Sequence, residues 1–186
     1  GRYSLRTGVT DTYNGGAIMS SNEITLAEIL NENNYKTGIF GKWHLGDNYP
    51  SRPSDQGFQE SLIHLSGGIG QVGDFTNYYK GNTSYFDPTL WLNNNQKKYD
   101  GYCSDIFTDE ALKFIEKNKD NQFFCYLSFN APHTPLQVPD KYVQMYEEID
   151  PTIINGDNLD MNKKNIQDAK KIYGMVTNID ENFGKL

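Results

Sequence analysis

The chain has 186 residues and a net charge of −7 at neutral pH; 37% of it is hydrophobic and 13% aromatic. That apolar content suffices for one compact domain or a large part of one and excludes a disordered chain. The acidic balance argues against nucleic acid or an anionic membrane surface as a principal partner, since both need a basic face, and no window approaches the roughly 20 apolar residues of a membrane span.

Read from the N-terminus, the chain starts at Gly1 with no initiator methionine, and Leu186 falls inside a helical pattern with no glycine or proline stop after it. It is therefore expected to be an internal piece of a longer protein, residues 1–186 being the central part of one catalytic domain. Thr25 to about Asn33 reads as a short helix. Thr25 is its N-cap, Glu28 closes a capping box, Ile24 and Ile29 form a hydrophobic staple, and Leu26, Ile29 and Leu30 give it an apolar face. Asn33-Asn34 breaks the helix, and Tyr35 to Phe40 reads as a strand. Asp47 to Gly101, rich in Gly, Asn, Ser, Pro and Tyr, is expected to be mostly loops with short strands around Tyr78-Tyr79 and Thr89–Leu92. Ser104 to Lys117 carries an apolar stripe of Ile106, Phe107, Ala111, Leu112, Phe114 and Ile115 and reads as a helix. Phe123 to Phe129 is continuously apolar, as a strand of a parallel sheet covered on both faces would be. Pro139 to Glu148 reads as a short amphipathic helix, Asp150 to Asp160 as a polar loop, and Asn162 to Phe183 as a long helix. The alternation predicts an α/β fold, a mixed and largely parallel sheet flanked by helices. No repeat and no clear linker is visible.

Chemistry concentrates at two strand exits. Gly41-Lys42-Trp43-His44-Leu45-Gly46 sets a cation and an imidazole two residues apart, so in extended backbone both side chains share a face and can converge on one bound anion. Lysine offers fixed positive charge and histidine a movable proton, with Trp43 packing on the opposite side. Asn130-Ala131-Pro132-His133-Thr134-Pro135 delivers a second histidine after the 123–129 run. His64, within Leu62-Ile63-His64-Leu65, reads as a partly buried structural histidine. Cys103 and Cys125 have no metal or C-x-x-C spacing and read as two ordinary thiols. Trp43 is better placed in the core than on a ligand, whereas the tyrosines from Tyr78 to Tyr85 suit core packing or stacking on a sugar or aryl ring equally.

Taken together these residues resemble the type I sulfatases, the arylsulfatase-like branch of the alkaline phosphatase superfamily. Tyr35-Lys36-Thr37-Gly38-Ile39-Phe40-Gly41-Lys42-Trp43-His44 is similar to the second sulfatase signature. The first signature would end at Gly1-Arg2, and Tyr3 to Gly8 is similar to the residues that commonly come after it in the family. Asp55-Gln56-Gly57-Phe58, the Asp105 to Ile115 helix and Pro132-His133-Thr134-Pro135 match further along. Two positions depart: Asn34 stands where the family usually has glycine, and Phe40 where it usually has a smaller residue.

The resemblance implies a sulfuric ester hydrolase of a sulfated small molecule or sulfated carbohydrate. The family's nucleophile is a formylglycine made by a maturation enzyme from a Cys or Ser, here upstream of Gly1, and held beside a divalent cation, Ca2+ or Mg2+. By resemblance, Lys42 contacts the sulfate and the nucleophile, His44 is the general base that takes the nucleophile's proton as sulfate leaves, and His133 faces the ester oxygen and helps the alcohol depart. The family's Asp-Asp pair, its Asp-Asn metal ligands and a second lysine are expected outside this chain, with no metal ligand inside it. Asp157-Asn158 is a tempting substitute, but it precedes the long helix, which is the wrong order; Asp180 and Asn182 are weaker still. Relatives suggest a periplasmic, secreted or lysosomal setting. Two alternatives stay open: a phosphomonoester or phosphonate ester hydrolase of the same superfamily, and a non-catalytic carbohydrate-binding protein.

Overall fold

Thr37-Gly38-Ile39-Phe40 belongs to a strand with neighbours on both sides, and its alternate side chains serve two different cores. The computed structural model describes residues 2–11, 17–153 and 162–186. In chain order the described residues form α1 (Ser4–Thr7), α2 (Leu26–Glu32), β1 (Lys36–Lys42), β2 (Glu60–His64), β3 (Thr89–Leu92), β4 (Asn95–Lys98), α3 (Cys103–Asn118), β5 (Phe123–Ser128), α4 (Asp140–Gln144) and α5 (Lys163–Phe183). The five strands make one mixed sheet in the order β4-β3-β2-β1-β5. β2 and β5 flank β1 in parallel, while β3 and β4 run antiparallel beyond β2. This is the α/β, largely parallel architecture expected.

On one face Ile39, Phe58, Ile63, Leu65 and Ala27 form a buried cluster, with Trp43, Trp91 and Phe124 packed against it. On the other, the Phe40 ring meets Phe114 of α3 with centroids 5.6 Å apart. Burying Phe114 there contributes roughly 1.5–3 kcal/mol. A Cβ added at Gly38 would lie 2.9 Å from the Phe40 ring and 3.0 Å from Phe114. The large residue at position 40 thus fills room that a glycine two residues earlier leaves open. The other departure has a backbone reason: Asn34 has φ 66°, a left-handed conformation that asparagine, unlike most residues, adopts readily in place of glycine.

The capping box of α2 is present, with the Thr25 hydroxyl accepting from the Glu28 N–H and the Glu28 carboxylate from the Thr25 N–H at 2.7 Å. Its predicted apolar face is not what packs: Ala27 is buried, whereas Ile24, Leu26 and Ile29 are exposed. Asp55-Gln56-Gly57-Phe58 is a framework element. Arg52 holds Asp55 through two hydrogen bonds of 2.8 and 2.9 Å, and Gly57, at φ 93°, passes so close to α2 that a Cβ would lie 2.2 Å from the Glu28 nitrogen. Phe58 then enters the core.

Three expectations need correction. Tyr78–Thr83 is a 3-10 helix and not a strand. β2 and β4 form where loops were expected. β5 is parallel as expected, but among the described residues it is the sheet's edge and is half-buried throughout, with Tyr126 exposed. Cys103 and Cys125 are free thiols, as read from the sequence. No helix among the described residues is long and apolar enough to cross a membrane.

The chain divides into two compact units, residues 1–130 and 131–186. In the second, α4 and α5 pack together, the Tyr142 hydroxyl donating to Glu181 at 2.6 Å. Asn162 caps α5 by accepting the Asn165 N–H.

Candidate functional site

β1 delivers Lys42 at its C-terminal end, where the flanking parallel strands also stop: Lys42 pairs with His64, the last residue of β2, and Gly41 with Ser128, the last of β5. The approach of β5 is close. Gly41 has φ 122°, and a Cβ there would sit 1.9 Å from the Ser128 carbonyl oxygen, so only glycine fits. The Ser128 hydroxyl donates to the Lys42 carbonyl at 2.6 Å, fixing the strand end. Lys42 is half-buried, and burial lowers its pKa from the usual lysine value. A cation that has lost part of its hydration has more to gain from a bound anion than one in bulk water.

The geometry that carries His44 differs from the one read from spacing. Extended backbone ends at Lys42, and His44 has φ 58°, so the two-residue alternation does not reach it. Its ring instead lies against Gly67, where an added Cβ would be 2.7 Å from Cε1 and 2.9 Å from Nε2. The chain at Gly67 is tied down from behind by Asp47, whose carboxylate oxygens accept the Ser66 N–H at 3.3 and 3.2 Å. Ser66 is itself left-handed at φ 62°, and its hydroxyl donates to the Val72 carbonyl at 2.9 Å. His44 and Ser66 are thus two non-glycine residues held in this sparsely populated region within one loop system. Burial raises the Asp47 pKa, opposed by the Ser66 hydrogen bond and by nearby His44. Trp43 is in the core as expected, edge-on to Phe58 at 5.9 Å, with its indole N–H donating to the Ser51 carbonyl at 2.9 Å.

His64 is buried completely, more than the partly buried histidine expected, and burial pushes its pKa down to about 4; Lys42 and His44 nearby push the same way. Lys42 and His44 thus both lie near His64, although strand alternation does not extend to His44. The His64 Nδ1–H donates to the Leu65 carbonyl at 2.9 Å, the tautomer that contact requires, and its buried Nε2 has no hydrogen-bond partner among the described residues. Close by, buried Asp74 accepts the Gly70 N–H at 2.8 Å and the Thr76 hydroxyl at 2.7 Å. Sequence reasoning missed Asp47 and Gly67. The first comes only three residues after the motif's histidine, and the second shows its purpose only once the His44 ring rests on it.

His133 belongs to the second unit. It is exposed, with Nδ1 2.7 Å from the Thr134 carbonyl, a hydrogen bond only if Nδ1 carries the proton. Asp157-Asn158 lies outside the described residues; Asp180 and Asn182 are in α5, where the Asn182 amide donates to the Asn178 carbonyl at 2.9 Å. Among the described residues no group of three or more His, Cys, Asp or Glu side chains could hold a metal ion, so they do not fit the divalent cation that the resemblance implies.

Comparison with known proteins agrees with this reading of the fold. The chain is 31% identical over 185 residues to an uncharacterised sulfatase of Schizosaccharomyces pombe, covering 94% of this chain and 31% of that protein. It is 35% identical over 137 residues to an N-acetylglucosamine-6-O-sulfatase of Bacteroides thetaiotaomicron, covering 72% and 20%. Among solved structures, that of Ps i-CgsB in complex with k-i-k-neocarrahexaose superposes with a TM-score of 0.73 at 32% identity, covering 97% of this chain and 39% of that one. The chain therefore spans a third or less of the length of these two sequence relatives. The sulfatase family model matches residues 1–186, the whole sequence, and the chain belongs to the sulfatase family.

Proposed function

We propose that the protein of which this chain is the central catalytic part is a sulfuric ester hydrolase acting on a sulfated carbohydrate. The observation that supports this most is the exit of β1, which carries half-buried Lys42 and, two residues on, His44 braced on Gly67. In this reading Lys42 binds the sulfate and stabilises the charge that grows on its oxygens, a role that a desolvated ammonium fills well. His44 accepts a proton at the same point, its ring held by the Asp47 to Gly67 brace. His133, whose Nδ1 lies 2.7 Å from the Thr134 carbonyl, is the group that by resemblance exchanges a proton with the departing alcohol oxygen. Family members take their nucleophile from a formylglycine beside a divalent cation; residues other than the described ones would supply both. A carbohydrate is favoured because the similar structure Ps i-CgsB holds neocarrahexaose, and a secreted, periplasmic or lysosomal setting suits such a substrate.

The test is steady-state kinetics of the full-length protein on a sulfated oligosaccharide and on the matching phosphate ester. Lys42→Ala and His44→Ala are each expected to lower kcat on the sulfate about 10²- to 10³-fold. Equal or better turnover of the phosphate ester, or variants as active as the parent, would refute the assignment.

A further inference from the structure

A cavity of about 410 Å³ opens beside the site, lined among others by Tyr49, Arg52, Phe75, Trp91, Asn94 and Gln96, and by Asp47, the residue that braces the His44 loop. Its size is within the roughly 300–1,000 Å³ typical of ligand pockets. We propose that it is a subsite for an unsulfated sugar ring next to the sulfated one, which makes the enzyme selective for an oligosaccharide. This rests on the sulfatase reading above.

The walls have the chemistry a pyranose needs, flat rings for its C–H faces and amides for its hydroxyls. Tyr49 and Phe75 are 78% and 85% exposed, so both rings offer a flat face on which a sugar can stack. Arg52 lies 5.9 Å over the Tyr49 ring while its guanidinium is held by Asp55, so the rim is ordered before any ligand arrives. Trp91 and Gln96 are paired across the β3–β4 hairpin. Its two-residue turn has Asn93 and Asn94 both left-handed, at φ 46° and 67°, the backbone that a tight hairpin favours and asparagine accepts. Asn94 is fixed further by hydrogen bonds with the Ser54 hydroxyl. Trp91 also carries a buried indole N–H with no hydrogen-bond partner among the described residues. The lining holds one arginine, already paired, and an aspartate, so a neutral ring suits it better than a second sulfate. Of the tyrosines that suited core packing or stacking equally, Tyr85 is fully buried and Tyr78 and Tyr79 are exposed.

The experiment uses the full-length protein with two substrates, a sulfated hexasaccharide and 4-nitrophenyl sulfate, which is too small to reach the cavity. Phe75→Ala and Gln96→Ala, both at exposed positions that folding tolerates, are expected to raise KM for the hexasaccharide about threefold to tenfold and to leave both constants for the aryl sulfate unchanged. Equal losses on both substrates, or no change on either, would overturn the subsite. If the unmodified protein hydrolyses neither substrate, the activity reading has failed, and calorimetric titration with the desulfated hexasaccharide decides the subsite alone. Binding weakened by Phe75→Ala supports it, and absence of binding overturns it.

Discussion

A buried histidine is usually a cost that the fold must compensate, and His64 shows how the cost becomes a pH dependence. Burial holds its pKa down to about 4, against 6.5 in an exposed chain. Between those values the unfolded chain binds a proton that the folded one refuses, so stability rises with pH there. The contribution is fully present above about pH 6.5 and is lost as pH falls towards 4, on the order of 3 kcal/mol across the window. Urea midpoints measured from pH 7.5 to 4.5 are expected to fall more steeply for the unmodified chain than for His64→Gln; parallel curves would show that His64 is protonated in the fold. The same residue explains why this end of the site was hard to read. Leu62-Ile63-His64-Leu65 shows an apolar run with one polar interruption, and nothing local says that the interruption is as fully buried as Leu62. The two departures from the family pattern, by contrast, resolve at the residue scale: Asn34 supplies a left-handed turn, and Phe40 fills the space above Gly38.

At the scale of elements, what was legible depended on whether the signal was local. The α2 cap was visible because Thr25 and Glu28 are three residues apart and satisfy each other. Its packing face was not, because the close passage of Gly57 against the first turn decides which side is covered. β2 was missed for a similar reason. Its polar Ser61 is buried, with its N–H donated to the Asn93 side chain 32 residues away at 2.8 Å, a partner that the sequence of the strand does not reveal. Tyr78-Tyr79 looked like a strand from composition, yet that segment is a 3-10 turn whose Lys80 ammonium donates to the Phe86 and Asp87 carbonyls. The α2 cap yields a prediction at this scale. The Thr25 hydroxyl also donates to the Gln56 carbonyl at 2.7 Å, so Thr25→Ala removes two interactions and is expected to cost about 1–2 kcal/mol, the upper part of the range for N-caps. Denaturant unfolding checks it: a loss below about 0.5 kcal/mol would mean that Glu28 and Gln56 find other partners.

At the scale of the whole molecule, the sulfatase signature was legible because it is short, ordered and close to the glycines that the sheet requires. Gly41 is required by the passage of Ser128, and the proposed anion-binding role of Lys42 is a separate, chemical reason for the residue next to it. In the proposed reading the chain supplies Lys42, His44 and His133, while among the described residues nothing gathers enough carboxylates or imidazoles for a cation. That division of labour makes a prediction about the 186-residue chain alone. A ligand present at a hundred times its dissociation constant stabilises the fold by about 2.7 kcal/mol, which for a domain of this size raises the melting temperature by roughly 5–10 °C. The isolated chain is expected to show no such rise in 5 mM Ca2+ or Mg2+ and no turnover of a sulfate ester. A saturable rise of that size would put a cation site inside residues 1–186 and direct attention first to Asp157. Its loss in Asp157→Asn would place a ligand in the segment before α5, and its survival there would send the search to the carboxylates of the first unit.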